Sequence, residues 1–109
     1  MAPYGAAKAG LQHLARTVAV EYALDGVRMN IVSPGLISTP RTKDYTADIK
    51  SAIPLGRIGE PSEIADAVVF MASPLSSFIT GQTLSVDGGQ SAVNPLGFRA
   101  RVAEVDGAC

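Results

Sequence analysis

Tyr4 and Lys8, in the stretch Tyr4-Gly5-Ala6-Ala7-Lys8, put a phenol and an ammonium four positions apart. Residues at that spacing share one face of a helix. A free phenol titrates at about pH 10 and shuttles protons poorly at neutrality. A cation held beside a phenol favours the phenolate and brings it toward the range where acid–base catalysis is efficient. Such a pair can protonate or deprotonate the oxygen of a carbonyl or alcohol while hydride moves at carbon. The same spacing also describes an aromatic ring lying along a lysine stem, and the pair alone leaves both readings open.

The elements that must carry these residues can be read from periodicity. Leu11, Leu14, Ala15, Val18, Ala19 and Tyr22 recur at helical spacing and predict a helix over residues 4–24, with Gln12, Arg16 and Glu21 off the stripe. Asp25-Gly26 is its stop signal, with Gly26 free to turn left-handed. Residues 28–33 predict a strand in which Arg28 and Asn30 alternate with Met29 and Ile31, so one face is less apolar than in a strand buried on both sides. Pro34-Gly35 ends it. Residues 36–59 are irregular, and an irregular stretch of that length inside a domain is usually functional, often a lid.

A second helix opens at Glu60-Pro61-Ser62-Glu63, with Pro61 suited to a first turn and two carboxylates near the positive end of the dipole. Ile64, Ala65, Val68, Val69 and Ala72 form its apolar stripe, and Ser73-Pro74 closes it. A second strand is predicted over residues 82–86, ending at Asp87-Gly88-Gly89. Strand, crossover helix and strand describe a βαβ unit with parallel strands. Residues 90–109 lack periodicity and are expected to form a mobile tail.

Composition removes other function classes. Apolar residues make up 47% of the 109 and charged residues 17%, a globular balance sufficient for one domain at most. Net charge is −1 with Lys and Arg scattered, so nucleic acid and anionic membranes are not expected partners. No apolar run approaches bilayer length, and the first residues show no secretory signal. The single cysteine, Cys109, permits no internal disulfide, so a cytoplasmic setting is expected. One His and one Cys argue against a transition-metal site.

Three segments carry a resemblance: Tyr4-Gly5-Ala6-Ala7-Lys8; Asn30-Ile31-Val32-Ser33-Pro34-Gly35-Leu36-Ile37-Ser38-Thr39; and Phe78-Ile79-Thr80-Gly81 leading to Val86-Asp87-Gly88-Gly89. In this order they resemble the carboxy-terminal part of the classical short-chain dehydrogenase/reductase family. The resemblance covers residues 2–89. It implies an α/β fold, the last part of a Rossmann-type doubly wound parallel sheet (helix, strand, lid loop, helix, strand), over residues 1–89 with residues 90–109 as the tail.

The resemblance implies an oxidoreductase that transfers hydride between NAD or NADP and a small-molecule carbonyl or alcohol. Tyr4 would be the general acid or base. Lys8 would favour its ionised form and hydrogen-bond the nicotinamide ribose, which suits a group with three donors. Pro34 and Gly35 would let the backbone approach the nicotinamide, with the Ile37 backbone and the Thr39 side chain holding its carboxamide. Taken alone, Pro34-Gly35 is also a plain turn, and Thr39 a capping hydroxyl before Pro40. The segment after Thr39 resembles a substrate-covering loop, in which Arg41, Lys43 and Arg57 could meet an anion or simply be solvated. His13 reads as a surface or interface residue, and Asp87 as a turn residue bonding to backbone.

The 109 residues also depart from the family. No two glycines are separated by a single residue, so the glycine-rich dinucleotide turn is not among them. Only Met1, Ala2 and Pro3 precede Tyr4, so neither are the family's catalytic Ser and relay Asn, and five of its seven strands have no counterpart. The chain is therefore expected to be a fragment that is inactive in isolation and binds NADH or NADPH undetectably. The alternative is a non-catalytic module that self-associates, as a homo-oligomer, or pairs with a full-length relative through the Tyr-bearing helix and the last helix and strand.

Overall fold

The computed structural model describes residues 2–44 and 47–93. The tail predicted over residues 90–109 therefore falls outside the described residues from position 94 onward, and residues 90–92 form a single 3-10 turn, Gln90–Ala92. The chain divides into two compact units, one of residues 1–33 and 64–84, the other of residues 34–63 and 85–109.

The first unit is organised by α1, Ala2–Glu21, an Ala-rich segment without Pro after its first turn. A short 3-10 turn, Ala23–Asp25, follows, and Gly26 ends it in the left-handed conformation (φ 77°), donating its N–H to the Ala23 carbonyl at 3.1 Å. Of the expected apolar stripe, Ala15 and Ala19 are buried, whereas Leu11, Leu14 and Tyr22 are about half exposed or more. The buried seam is thus made of small side chains. At Gly81 a Cβ would stand 3.6 Å from that of Ala19, so a turn backbone packs directly on the helix.

The helix α3 (Pro61–Ala72) begins where the sequence predicts. Its expected stripe is only partly covered: Ile64 is half-buried, while Val68 and Val69 are exposed. Ser73 caps the turn that follows, accepting the Leu75 N–H at 3.2 Å, and the fully buried Ser76 hydroxyl bonds the Met71 carbonyl at 2.8 Å.

The first strand, β1, is Ile31–Pro34, shorter than the predicted 28–33. Residues 28–30 engage the 71–82 region through side chains and through the Gly81 N–H, which donates to the Met29 carbonyl at 2.7 Å. The Arg28 guanidinium donates to the carbonyls of Ile79 (3.0 Å), Met71 (3.1 Å) and Ser73 (3.3 Å). Asn30 donates to the Ile79 carbonyl and accepts the Gln82 N–H, both at 3.0 Å, and the Met29 N–H reaches the Thr80 hydroxyl at 3.1 Å. The polar face of this segment is therefore a set of backbone clamps.

The second strand, β2, is Thr83–Val86, and β1 and β2 form a two-stranded sheet. The Ile31 N–H donates to the Gln82 carbonyl at 2.8 Å and the Gly35 N–H to the Val86 carbonyl at 3.0 Å. Position rises together on both strands, so they are parallel and the connection containing α3 is a crossover.

The second unit holds the segment predicted as irregular. Among the described residues this segment contains one short helix, α2 (Ala47–Ser51), and its ends are drawn together by a parallel bridge between Ile37 and Gly59. Ile53 is 2% exposed and is this unit's one buried apolar side chain among the described residues.

Candidate functional site

Tyr4 and Lys8 stand on unbroken α1, one turn apart, so the helix alone fixes them as neighbours about 6 Å apart along the axis. Tyr4 is 63% exposed and Lys8 is exposed, which leaves phenol and ammonium available to a ligand. Among the described residues, none outside the helix's own backbone brings a heavy atom within 4 Å of where a Cβ on Gly5, between them, would lie. His13 is exposed on the same helix, as expected of a surface residue.

The remaining predicted site residues lie in the second unit. Gly35 takes an ordinary φ, and its need for a bare Cα comes from packing: a Cβ there would stand 2.6 Å from the Asp87 Cβ and 2.8 Å from its Cα. This close approach is internal to the protein. Ile37 sits on the bridge to Gly59, with the flanking bonds Ser38 N–H to Gly59 O at 2.7 Å and Gly59 N–H to Leu36 O at 2.9 Å. Its carbonyl accepts the Thr42 hydroxyl. Its own N–H has no acceptor among the described residues.

Thr39 is exposed, and its hydroxyl accepts the Thr42 N–H at 3.2 Å and pairs with the Thr42 hydroxyl at 3.1 Å. The Thr39 N–H donates to Thr42 Oγ1 at 2.9 Å. The hydroxyl thus caps the turn begun by Pro40, and its exposure leaves it open to a further partner. Sequence reasoning missed Thr42, the residue that ties Thr39 to Ile37; the Thr-x-x-Thr spacing across a proline was the available signal.

A cavity of about 100 Å³ in this unit is lined by Leu36, Ile37, Leu55 and Val86 on its apolar side and by Arg57, Glu63 and Asp87. Arg57 does not stand as a free cation. It grips Glu63 in a two-pronged pair, Nη1 to Oε2 at 2.9 Å and Nη2 to Oε1 at 2.7 Å. Glu63 also accepts the Glu60 N–H at 2.8 Å, the reach-back of a capping box. The Arg57 guanidinium, and then the Glu60 N–H, hold the Glu63 carboxyl down to about 2, and Glu63 raises Arg57 in return. The Glu60-x-x-Glu63 spacing was the sequence signal for this cap. Arg41 and Lys43 are exposed.

Asp87 behaves as the turn residue expected. Its carboxylate accepts the N–H groups of Gly89 and Ser91, both at 3.0 Å. The Ser91 hydroxyl first, then these backbone donors, keep its carboxyl below the ordinary range. Among the described residues no three His, Cys, Asp or Glu side chains are grouped to hold a metal, and no helix is long and apolar enough to cross a membrane.

Comparison with known proteins gives these residues a context. The family model described as enoyl-(acyl carrier protein) reductase matches residues 1–91. A tropinone reductase homologue of Arabidopsis thaliana is 47% identical over 106 residues, covering 92% of this chain and 34% of that protein. A solved structure described as a 2-deoxy-d-gluconate 3-dehydrogenase from Agrobacterium tumefaciens, with bound NADP, superposes with a TM-score of 0.75 at 38% identity, over 83% of this chain and 39% of the other. A 4-hydroxyisoleucine dehydrogenase mutant complexed with NADH and succinate gives 0.77 at 35% identity, over 84% and 40%. The chain thus spans about a third of the length of the curated relatives it matches, such as 34% of the Arabidopsis protein. Over that span, the chain belongs to the short-chain dehydrogenase/reductase family, and its α/β architecture is a portion of that family's Rossmann-type fold.

Proposed function

We propose that this chain supplies the acid–base pair and the nicotinamide-facing segment of an NAD(P)-dependent oxidoreductase acting on a carbonyl or alcohol. The observation that carries this reading is the Tyr4–Lys8 pair, one turn apart and exposed on a continuous helix, in a chain whose family membership covers it. The phenol of Tyr4 gives a proton to, or takes one from, the substrate oxygen. Lys8 stands on the same face, one turn along the helix, where its three donors suit ribose hydroxyls. The Ile37 N–H and the Thr39 hydroxyl offer a donor and a donor–acceptor to a carboxamide. When bound, the nicotinamide supplies or accepts the hydride.

The isolated 109 residues are inactive on this reading, since no Gly-x-Gly dinucleotide turn lies among them and the reactants are not held in place. Joined to the upstream dinucleotide-binding portion of a relative, the chain is expected to turn over NADH or NADPH with a carbonyl substrate. Tyr4→Phe in that protein should abolish turnover, and undiminished turnover would refute the assignment.

The exposed apolar side chains of α1 and α3, among them Leu11, Leu14 and Val69, favour a second reading. In it the chain associates with another copy or with a full-length relative without catalysis. Sedimentation of the isolated chain tests this, and a monomer at all concentrations that ignores an added relative would exclude it.

A further inference from the structure

The turn that ends β2 touches both ends of the long segment that follows β1. At the leading end, the Gly35 N–H bonds the Val86 carbonyl at 3.0 Å, and the Gly35 Cα lies so close to Asp87 that a Cβ would stand 2.6 Å from the Asp87 Cβ. At the trailing end, Ile53 Cγ2 lies 2.7 Å from where a Gly88 Cβ would be, and the Pro54 ring 3.2 Å from that of Gly89. The Leu55 N–H donates to the Gly88 carbonyl at 3.1 Å. Two consecutive left-handed residues, Gly88 at φ 65° and Gly89 at φ 92°, give the turn a shape that glycine takes without strain. The Asp87 carboxylate holds that shape through the N–H groups of Gly89 and Ser91.

We propose that Asp87-Gly88-Gly89 is the anchor of the 36–59 segment, and that Asp87 is a positioning residue that fixes where both ends of the segment sit. The inference rests on and deepens the proposed function, in which Ile37 and Thr39 at the start of this segment face the nicotinamide. Seating Ile53 on Gly88 buries the second unit's one buried apolar side chain among the described residues, so the seat is also its small core. The Ser38–Gly59 and Gly59–Leu36 bonds tie the segment to itself, so its placement follows from the turn.

Residue-resolved hydrogen exchange on the 109-residue chain tests this without any cofactor. Asp87→Ala should speed exchange of the Leu55 and Gly35 amides by about tenfold or more, while the Ile31 and Gly81 amides of the first unit stay within about twofold. Asp87→Asn keeps one carbonyl acceptor and should fall between the two. Gly88→Ala, which sets a methyl against Ile53, should speed exchange at Leu55 and hasten tryptic cleavage after the exposed Arg41 and Lys43. Unchanged Leu55 exchange, an Asn variant as loose as the Ala variant, or equal acceleration in both units would each overturn the proposal. Absence of protection at Leu55 in the unsubstituted chain would do the same. Turnover by the joined protein tests the catalytic reading separately: an anchor confirmed here with no turnover there removes the chemistry and leaves the anchor.

Discussion

Replacing Gly35 by Ala is the most direct steric test of the second unit. The added methyl would meet the Asp87 Cβ at 2.6 Å and its Cα at 2.8 Å. Carbon atoms rest at about 3.5–4.0 Å, so each contact is about 1 Å too short. Neither atom is the tip of a flexible side chain, so relief requires moving backbone. Overpacking costs about 1–3 kcal/mol, and a backbone obstacle places this case near about 3. With a urea dependence of about 1 kcal/mol per molar, the midpoint of the second unit should fall by about 3 M, or its cooperative transition should vanish. Gly10→Ala is the control. It lies inside α1, where no described residue outside the helix's own backbone comes within 4 Å of the new methyl, and there Ala should stabilise by about 0.5–1 kcal/mol. The assay is urea unfolding followed by NMR at individual amides, so that each unit reports its own midpoint. A Gly35→Ala midpoint equal to that of the unsubstituted chain would refute the reasoning.

Other outcomes follow from single contacts. Arg28→Ala strips three carbonyls of a donor and should cost the first unit about 1–3 kcal/mol in thermal unfolding, with Arg28→Lys recovering only part because an ammonium lacks the planar fork. Glu63 is held down to about 2 from 4.5, so its contribution is complete above the unfolded value and is lost as pH falls through that interval; Glu63→Gln should flatten the acid limb of the second unit's stability profile between those pH values. Ala19→Leu forces a larger side chain into a fully buried position beside Gly81, and calorimetry should show a loss of about 1–3 kcal/mol.

The local signals in the sequence carried far. Pro61 begins α3, Gly26 ends the first helical stretch left-handed, and Asp87 bonds the backbone of the turn it opens, each because the cause lies within a few residues. The strand from Arg28 was overextended because Arg28 and Asn30 read as the polar half of an alternation. Their side chains instead bind carbonyls and N–H groups some fifty residues away, a relation that no local pattern encodes. Arg57 shows the same limit: its charge was legible, but its neutralising partner follows from the loop doubling back onto the first turn of α3. For the candidate site, the Tyr4–Lys8 spacing was legible because a helix enforces it, whereas the tie from Thr42 to the Ile37 carbonyl depends on a turn that only the folded chain reveals.

The near-contact of Gly35 with Asp87 has a consequence for inheritance. Two short stretches that look independent on paper meet in one steric specification, since a side chain gained at position 35 would run into the Cα and Cβ at position 87. Homologous exchange with a crossover between them should yield well-folded offspring only when the parent supplying the first stretch carries the bare position. Position 35 should therefore stay glycine across descendants, whichever side chain stands at position 87.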